Sequence, residues 1–281
     1  MEKPDVQDDT TAGQEAETVL QLAPGVTLAL VRVPAGEFLM GTSDNDTEAY
    51  GHEKPEHRVH LGEYLIGKYP VTVAQFAAFV QASGYRTTAE KEGGGYAWTG
   101  REFKGADWQH PGGSPRDLQA IAHHPVTQVS WDDSVAFCQW ASQVSGRAVR
   151  LPNEAEWEKA ARGTDGRVYP WGSQAPDRER CNFNFSVRDT KSVGWYSPDD
   201  DSPYGCADMA GNVWEWTGSL FMPYPYRPDD GREDISGLGR RVVRGGAWDE
   251  TQRYVRCACR GRSLPSYRFS DRGFRVCASP I

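Results

Sequence analysis

Apolar and polar positions alternate in the first part of the chain, which is the pattern of strands with one buried face. The pattern begins at Val19, and a second alternating stretch at residues 57–61 predicts a further strand. Between them, residues 31–41 combine apolar positions with an interrupting Pro and Gly, which predicts a hairpin. This part of the chain is therefore predicted to consist of short strands.

Three later segments repeat apolar residues at helical spacing, and each lies between a capping residue and a glycine. The capping side chain accepts a hydrogen bond from the first turn, and the glycine permits the left-handed conformation that ends the last turn. The first predicted helix spans residues 73–83, with Thr72 as its cap and Gly84 as its closing glycine. The second spans residues 131–144, between Ser130 and Gly146. The third spans residues 157–162 and ends at Gly163, and its cap Asn153 forms a capping box with Glu156.

The domain organisation follows from a change in composition near residue 18. Residues 1–18 are acidic, polar and short of large apolar groups, so nothing offsets the entropy cost of ordering them, and they are predicted to form a disordered tail. Residues 19–281 contain no repeat and no low-complexity linker, which predicts one domain. Residues 86–124, rich in Gly, Trp and His, are predicted to be a long excursion from it. Thirty glycines and eighteen prolines indicate that much of the domain is turn and loop.

Charge and hydropathy limit the partners of this chain. The formal net charge of −8 argues against nucleic acid, because a phosphate-binding surface needs an excess of Lys and Arg. The N-terminus has neither the basic head nor the apolar run of a secretory signal. No window approaches the ~18 apolar residues of a membrane helix. A cytoplasmic protein without membrane contact is therefore expected.

The six cysteines bear on metal binding and redox state. They lie at positions 138, 181, 206, 257, 259 and 277, and none forms a Cys-x-x-Cys pair, which argues against a zinc site. Free thiols are expected in the cytoplasm. The sequence also contains no convincing Ser-His-Asp or Cys-His constellation, so no catalytic residue is assigned.

A series of motifs runs through the chain in a distinctive order. Residues 205–217 have the sequence Gly-Cys-Ala-Asp-Met-Ala-Gly-Asn-Val-Trp-Glu-Trp-Thr, and residues 244–248 have the sequence Arg-Gly-Gly-Ala-Trp. Together with residues 34–41, 69–72, 105–111, 124–131, 151–157, 256–260, 265–268 and 273–275, they resemble the formylglycine-generating enzyme (sulfatase-modifying factor) family over roughly residues 27–277. The resemblance implies an α+β domain with the C-type-lectin-like fold of that family, with few helices, short strands and many loops.

The resemblance also implies chemistry that this chain departs from. In the enzymes of the family, a cysteine pair just after the Gly-Gly motif binds copper and carries the oxidation. Residues 248–254 contain no cysteine here, and Glu250 and Gln252, or their neighbours, occupy the corresponding places. Copper is not expected, because hard oxygen ligands do not replace two thiolates around copper(I). A rearranged site remains an alternative, since Cys257 and Cys259 would share one face of a strand.

Calcium is the metal that the resemblance favours. The family holds one calcium ion in the loop that leads into the Gly-Asn-Val-Trp-Glu-Trp strand. In this chain the implied ligands are the carboxylates of Asp208 and Glu215 and the carbonyl groups of Gly211 and Val213. The alternative is that both carboxylates accept hydrogen bonds from loop amides.

The C-terminal arginines are divided between framework and surface. Those in the framework motifs need carboxylate partners if they are buried. We expect Arg244, Arg256, Arg260 and Arg275 to pair with acidic residues such as Asp132, Asp133, Glu154 and Glu156.

The positions between these framework residues indicate a recognition surface. Their spacing resembles the variable region of C-type-lectin-like proteins that retroelements diversify. Aromatic residues with a few polar neighbours are the composition of such surfaces. The predicted ligand-binding residues are Trp248, Asp249, Glu250, Thr251, Gln252, Tyr254, Cys259, Arg262, Ser263, Leu264, Ser266, Tyr267, Phe269, Ser270, Asp271 and Arg272.

Three functions follow from the sequence. The first is a ligand-binding, non-catalytic member of the family that recognises a protein or other ligand through residues 248–272, in one version diversified by a retroelement. The second is an oxidase that converts a sulfatase cysteine to formylglycine, against which the missing thiol pair argues. The third is a different oxidase such as the sulfoxide-synthase relatives, whose iron-binding helical domain has no counterpart in this sequence. They are ranked in that order.

Overall fold

A computed structural model describes residues 17–280. Most of the predicted tail, residues 1–16, therefore lies outside the described residues. The first strand begins at Thr18, which is the last residue of the predicted tail. The described part of the chain contains no helix long and apolar enough to cross a membrane.

Four helices, each introduced by a capping box, form in the described residues. They are α1 (Val73–Ser83), α2 (Thr88–Glu92), α3 (Trp131–Ser145) and α4 (Glu154–Arg162). The caps Thr72, Ser130 and Asn153 and the closing glycines confirm the three predicted helices. The short helix α2 lies at the start of the 86–124 excursion and was not predicted.

Residues 17–280 also form thirteen short strands, which make two main sheets and two hairpin-like pairs. They are β1 (Thr18–Ala23), β2 (Val26–Val33), β3 (Gly36–Met40), β4 (His57–Leu61), β5 (Tyr64–Gly67), β6 (Gly94–Tyr96), β7 (Glu102–Lys104), β8 (Val149–Arg150), β9 (Trp214–Leu220), β10 (Arg241–Arg244), β11 (Arg260–Ser263), β12 (Arg272–Phe274) and β13 (Cys277–Ala278). The sheet orders are β1-β2-β5-β13-β8 and β11-β10-β9-β12, with β3-β4 and β6-β7 as the two pairs. The architecture is α+β and rich in loops, as predicted.

The predicted hairpin at residues 31–41 is wrong. The strand β2 pairs with β1 and β5, whereas β3 pairs antiparallel with β4, where Phe38 lies opposite Val59. The segment between β2 and β3 therefore carries the chain from one sheet to another. Local alternation could not show whether β2 and β3 pair with each other or with other strands, because the partner of a strand is set by tertiary packing.

Aromatic packing joins the helices to the second sheet. Phe76 of α1, Phe137 of α3 and Phe274 of β12 are each fully buried, and the ring centroids of Phe137 and Phe274 lie 5.4 Å apart. Trp216 of β9 donates its indole N–H to the Val129 carbonyl at 3.1 Å. This packing fixes β9 and β12, whose starting residues border the site described below.

The framework arginines are buried and paired, but mostly with other carboxylates than those predicted. Arg260 binds Glu154 through Nε and Nη2 at 2.6 and 2.7 Å, which confirms one expected partner. The other three bind Glu158 (Arg244), Glu53 (Arg256) and Glu215 (Arg275).

The remaining predicted carboxylates have different roles. Asp133 accepts hydrogen bonds in the α3 capping box, and Glu156 pairs with Arg150. Asp132 lies in the first turn of α3, and none of the four framework arginines binds it as an ion pair. Asp133 and Glu156 serve in helix capping boxes instead of pairing with the framework arginines, and spacing alone did not reveal this role.

Candidate ligand-binding site

A cavity of about 550 Å³ opens where the 86–124 excursion meets the C-terminal segment. We refer to it as the acidic aromatic cavity. It is lined by Trp98, Thr99, Gly100, Phe185, Trp214, Asp249, Glu250, Phe269, Asp271 and Arg272.

The Gly-Gly motif positions two of the carboxylates that line the acidic aromatic cavity. Gly246 follows β10 with a φ of +72°, and a Cβ there would lie 2.8 Å from the Tyr254 carbonyl oxygen. Only glycine fits this close approach of two chain segments. The chain then turns, and the Asn184 N–H donates to the Glu250 carbonyl at 2.7 Å while the Phe185 N–H donates to the Trp248 carbonyl at 2.8 Å. These backbone bonds fix Asp249 and Glu250 at the cavity.

The 86–124 excursion supplies the opposite wall, and Arg268 holds it in place. The guanidinium of Arg268 donates twice to the Gly94 carbonyl, at 2.9 and 2.6 Å. The backbone of Tyr96 continues the contact, since its N–H donates to the Arg268 carbonyl and its carbonyl accepts from the Ser270 N–H, both at 3.0 Å. Trp98 follows at the rim, where its N–H donates to Ser270 Oγ at 3.1 Å.

Aromatic rings form most of the apolar wall. The ring centroids of Trp98 and Phe185 lie 5.0 Å apart, and those of Phe185 and Trp248 lie 5.7 Å apart, both in edge-to-face geometry. Trp98 is 44 % exposed, whereas Trp248 is buried behind the wall. Phe269 lies on the other side of the cavity, 4.7 Å from the Arg272 guanidinium.

Three carboxylates and one guanidinium face the cavity, and several of their polar atoms have no partner. Glu250 Oε1 accepts a hydrogen bond from the Trp214 indole at 3.2 Å. Arg272 donates from Nη1 to Ser263 Oγ at 2.7 Å. Within residues 17–280, Asp249 Oδ1, Asp271 Oδ1, Trp248 Nε1 and Arg272 Nε are buried and find no hydrogen-bond partner. Buried polar atoms are normally paired, so this cluster is incomplete as it stands.

The electrostatics of the cluster follow from burial and like charge. Burial and the neighbouring Asp271 raise the pKa of Asp249 to about 7. Burial also raises the pKa values of Asp271 and Glu250, and it lowers the pKa of Arg272. The other lining residues have no titratable side chain. Near neutral pH Asp249 is therefore only partly ionised.

The predicted ligand-binding residues divide into two groups. Those that border the cavity are Asp249, Glu250, Phe269, Asp271 and Arg272, with Trp248 and Ser270 directly behind them. The other predicted residues, Thr251, Gln252, Tyr254, Cys259, Arg262, Ser263, Leu264, Ser266 and Tyr267, do not line it.

Several of these other residues have structural contacts that spacing did not indicate. Ser263 is buried under Arg272, and Tyr254 Oη binds Tyr50 Oη at 2.7 Å. The Arg262 guanidinium lies 4.8 Å from the Phe221 ring centroid. Tyr267 is 38 % exposed, and its ring packs on Phe269.

Cys259 requires a correction. Its side chain is fully buried in the aromatic core, so it is not accessible to a ligand. Cys257 packs in a separate core cluster with Trp157. The two thiols therefore do not share a face, because the segment before β11 is a turn rather than a strand.

Sequence reasoning missed five lining residues, Trp98, Thr99, Gly100, Phe185 and Trp214. The richness of the excursion in Gly and Trp was a signal for the first three. No local pattern placed Phe185 near the C-terminal segment, since the contact spans more than sixty positions in the chain.

The predicted calcium ligands lie on a tightly curled segment. Asp208, Gly211 and Asn212 all have positive φ, between +55° and +77°, so successive carbonyl groups change direction along it. Asp208 is half-buried and accepts a hydrogen bond from the Gly194 N–H at 2.6 Å. Burial raises the pKa of Asp208 to about 6.

Glu215 already has partners in this segment. Its carboxylate binds Arg275 through both oxygens and accepts from the Trp157 indole at 2.7 Å. The residues therefore fit a calcium site only if Glu215 shares its carboxylate between Arg275 and the ion.

Comparison with known proteins places the chain in context. A family model described as the sulfatase-modifying factor enzyme 1-like domain matches residues 18–280. The formylglycine-generating enzyme of Mus musculus is 33 % identical over 309 residues, covering 92 % of this chain and 79 % of that protein. The inactive Cα-formylglycine-generating enzyme 2 of the same organism is 32 % identical over 293 residues, covering 92 % of this chain and 88 % of that protein.

Solved structures agree with this placement. PvdO from Pseudomonas aeruginosa superposes with a TM-score of 0.77 at 27 % identity, covering 94 % of this chain and 98 % of that one. Variable protein 1 of Treponema denticola superposes with a TM-score of 0.71 at 23 % identity, covering 95 % of this chain and all of that one. The second likeness shows the fold, which is the C-type-lectin-like arrangement expected from the motifs.

Proposed function

We propose that this chain, which belongs to the sulfatase-modifying factor family of formylglycine-generating enzymes, is a non-catalytic member that binds a ligand in the acidic aromatic cavity. The observation that carries the proposal is the chemistry of this cavity. Oxygen ligands and aromatic rings line it, and no cysteine does. Relatives named formylglycine-generating enzyme and relatives named as inactive are both similar to the chain, so the proposal rests on the chemistry of the site.

The cysteines nearest in sequence do not compensate for the missing pair. Cys257 and Cys259 are fully buried in different core clusters. Burial raises the pKa values of both thiols, which disfavours the thiolate form that binds copper. A two-thiolate copper site would require the core around them to open.

The experiment that tests the proposal is oxidation of a Cys-x-Pro-x-Arg peptide. The purified chain is loaded with copper(I), and the peptide is analysed by mass spectrometry for conversion of its thiol to the formylglycine aldehyde. We expect no conversion and no stoichiometric copper binding. A similar enzyme with its cysteine pair intact, assayed in parallel, is the positive control. Turnover by this chain above a copper-only blank would overturn the non-catalytic assignment.

A formylglycine-generating oxidase is the second candidate function. The identity to enzymes of that name over nine-tenths of the chain favours it. Against it stands the missing thiol pair, because Glu250 and Gln252, or their neighbours, occupy the corresponding places and Glu250 lines the cavity. The peptide assay distinguishes the two functions directly.

Diversification by a retroelement is a separate part of the proposal, and it rests on the spacing of the C-terminal segment. Five of the positions between framework residues line the cavity, namely Asp249, Glu250, Phe269, Asp271 and Arg272. Sequencing the DNA downstream of the gene tests it. A near-copy of the codons for residues 248–275, differing only at adenines and adjacent to a reverse transcriptase, is the expected result. Absence of such a copy would leave an undiversified binding protein.

A further inference from the structure

The acidic aromatic cavity is electrostatically incomplete, and this determines what it can bind. Three carboxylates, from Asp249, Glu250 and Asp271, face a single guanidinium from Arg272. Asp271 is only 5 % exposed, yet its Oδ1 has no partner among the described residues. Leaving a buried carboxylate oxygen unpaired costs free energy that a hydrogen-bond donor bearing positive charge would recover.

Arg272 does not neutralise the cluster by itself. Its Nη1 donates to Ser263 Oγ, and its guanidinium lies 5.3 and 4.7 Å from the ring centroids of Trp216 and Phe269. The side chain is therefore held against the sheet, and its Nε has no hydrogen-bond partner within residues 17–280. The cavity of about 550 Å³, which Asp249 also lines, leaves room for a second cation.

The surroundings favour an organic cation over a metal ion. No three His, Cys, Asp or Glu side chains of residues 17–280 come close enough to hold one metal. The rings of Trp98, Phe185, Trp214 and Phe269 line the same cavity. Aromatic faces attract ammonium and guanidinium groups, whereas a hard dication prefers a shell of oxygens.

The unpaired oxygens also define the form of the cation. Asp249 Oδ1 and Asp271 Oδ1 each need an N–H or O–H donor. A protonated amine or a guanidinium group supplies such donors, and a quaternary ammonium group does not. The alkyl chain that carries the cation would pack against the aromatic wall formed by Trp98 and Phe185.

We propose that the acidic aromatic cavity recognises an N–H-bearing organic cation, as an alkylammonium or alkylguanidinium group, through Asp249 and Asp271 and the surrounding rings. This rests on the proposed ligand-binding function of the same cavity and names the chemical class of its ligand. The cation is carried either by a free amine or by a Lys or Arg side chain of a protein. Both sources present the same N–H-bearing cation, which is the group that the cavity would bind.

Binding is coupled to the ionisation of the aspartates. The elevated pKa of Asp249 means that part of the population is protonated at neutral pH. A bound cation stabilises the ionised form, so binding releases a proton and strengthens as the pH rises from 6 to 8. The charged groups at the cavity are the three carboxylates and Arg272, and the remaining lining residues contribute none.

The test uses four probes of similar size in NMR titrations of the full chain. They are n-butylammonium, tetramethylammonium, 1-butanol and butyrate, each at constant ionic strength. We expect n-butylammonium to bind most tightly, tetramethylammonium more weakly because it lacks N–H donors, and butyrate least. A second arm compares N-acetyl-lysine methylamide with its norleucine counterpart. If N-acetyl-lysine methylamide and n-butylammonium bind equally tightly, the natural ligand is a free amine. If N-acetyl-lysine methylamide binds more tightly, the natural ligand is a side chain of a protein.

Variants localise the effect. Asp271→Asn keeps the size of the side chain and removes its charge, and we expect it to weaken n-butylammonium binding by about tenfold or more. Asp229→Asn, at an exposed position that does not line the cavity, is the matched control and should leave binding unchanged. Asp249→Asn is the second variant in case Asp271→Asn unfolds, which far-UV circular dichroism reports.

The outcomes separate this inference from the proposed function. One outcome is that 1-butanol binds as tightly as n-butylammonium, and that Asp271→Asn and Asp249→Asn bind n-butylammonium as tightly as the wild type does. In that case the cavity is a binding site but the cation assignment is wrong. If no probe binds and the copper-loaded chain oxidises the Cys-x-Pro-x-Arg peptide, the proposed function itself fails. Preference for the N–H cation that is lost in Asp271→Asn establishes the inference.

Discussion

Arg275 and Glu215 form a fully buried, bidentate ion pair, with Nε to Oε2 at 2.6 Å and Nη2 to Oε1 at 2.7 Å. Arg275 also donates to the carbonyl groups of Gly67 and Ala207, so one side chain joins the C-terminal segment to two other parts of the chain. Glu215 accepts in addition from the Trp157 indole. The pair therefore ties β9, α4 and the end of the chain together.

Removing Arg275 should destabilise the fold severely. Arg275→Ala leaves the buried carboxylate of Glu215 without its counter-ion, and we expect a loss of about 3–5 kcal/mol in the free energy of unfolding, measured by urea denaturation. Arg58→Ala is the control, because Arg58 pairs with Glu37 on the surface, where both side chains are more than half exposed. A loss for Arg275→Ala no larger than that of the control would contradict the assignment.

Calcium binding at the neighbouring segment is tested by thermal unfolding. We propose that Asp208 and Glu215, with the carbonyl groups of Gly211 and Val213, hold one calcium ion. A ligand that binds only the folded state raises the melting temperature, so calcium should raise it relative to EDTA. Asp208→Asn should remove that difference, and Asp229→Asn should keep it. Identical melting curves in calcium and EDTA would mean that Arg275 and Trp157 already satisfy Glu215.

Phe269 and Tyr267 are expected to differ in effect, although both were predicted as ligand-binding residues. Phe269 lines the cavity, whereas Tyr267 does not line it and packs its ring on Phe269. Phe269→Ala removes one aromatic face and should weaken n-butylammonium binding about three- to tenfold. Tyr267→Ala should change binding by less than about twofold, since it removes no lining atom. Both variants should keep a circular dichroism spectrum like that of the wild type, and a larger effect of Tyr267→Ala would contradict the position of the cavity.

Arg268 should act on the cavity without touching the ligand. Its two hydrogen bonds to the Gly94 carbonyl hold the excursion that carries Trp98. Arg268→Ala should speed hydrogen exchange of the backbone at residues 94–100 and cost about 1–3 kcal/mol in stability. Arg262→Ala removes another C-terminal arginine, which is exposed, and serves as the control. Unchanged exchange at residues 94–100 in Arg268→Ala would show that the excursion is held by other contacts.

The raised pKa of Asp249 predicts a pH dependence of stability. Its pKa is about 7 in the folded chain, against an ordinary value of 3.8. Between these values the unfolded chain loses the proton while the folded chain keeps it, so this group lowers stability as the pH rises from about 4 to about 7. The neighbouring groups that set the shift are Asp271, Glu250 and Arg272.

Asp249→Asn removes this titration and isolates its contribution. The variant should melt at a higher temperature than the wild type at pH 8, by about 2 °C or more, and at nearly the same temperature at pH 4. Differential scanning calorimetry at the two pH values measures the difference. A constant offset between variant and wild type at both pH values would mean that Asp249 is ionised throughout.

Much of the local structure could be predicted from the sequence. Thr72, Ser130 and Asn153 cap the helices predicted for them, because a capping box depends on residues only three positions apart. The ordered motifs also predicted the family and its α+β, loop-rich fold. The partner of β3 could not be predicted in this way, since alternation fixes the faces of a strand and not its neighbour.

The sequence by itself determined which chemical groups the C-terminal segment offers, including Asp249, Glu250 and Asp271, and that residues 248–254, just after the Gly-Gly motif, contain no cysteine. Only the tertiary structure decided how they are used. It buried Cys259 in the core and paired Glu215 with Arg275, and it brought Trp98 and Phe185 from distant parts of the chain to the same cavity as the acidic residues. The physical reason is that burial, unpaired oxygens and shared walls are properties of contacts between segments far apart in the chain, which no local pattern encodes.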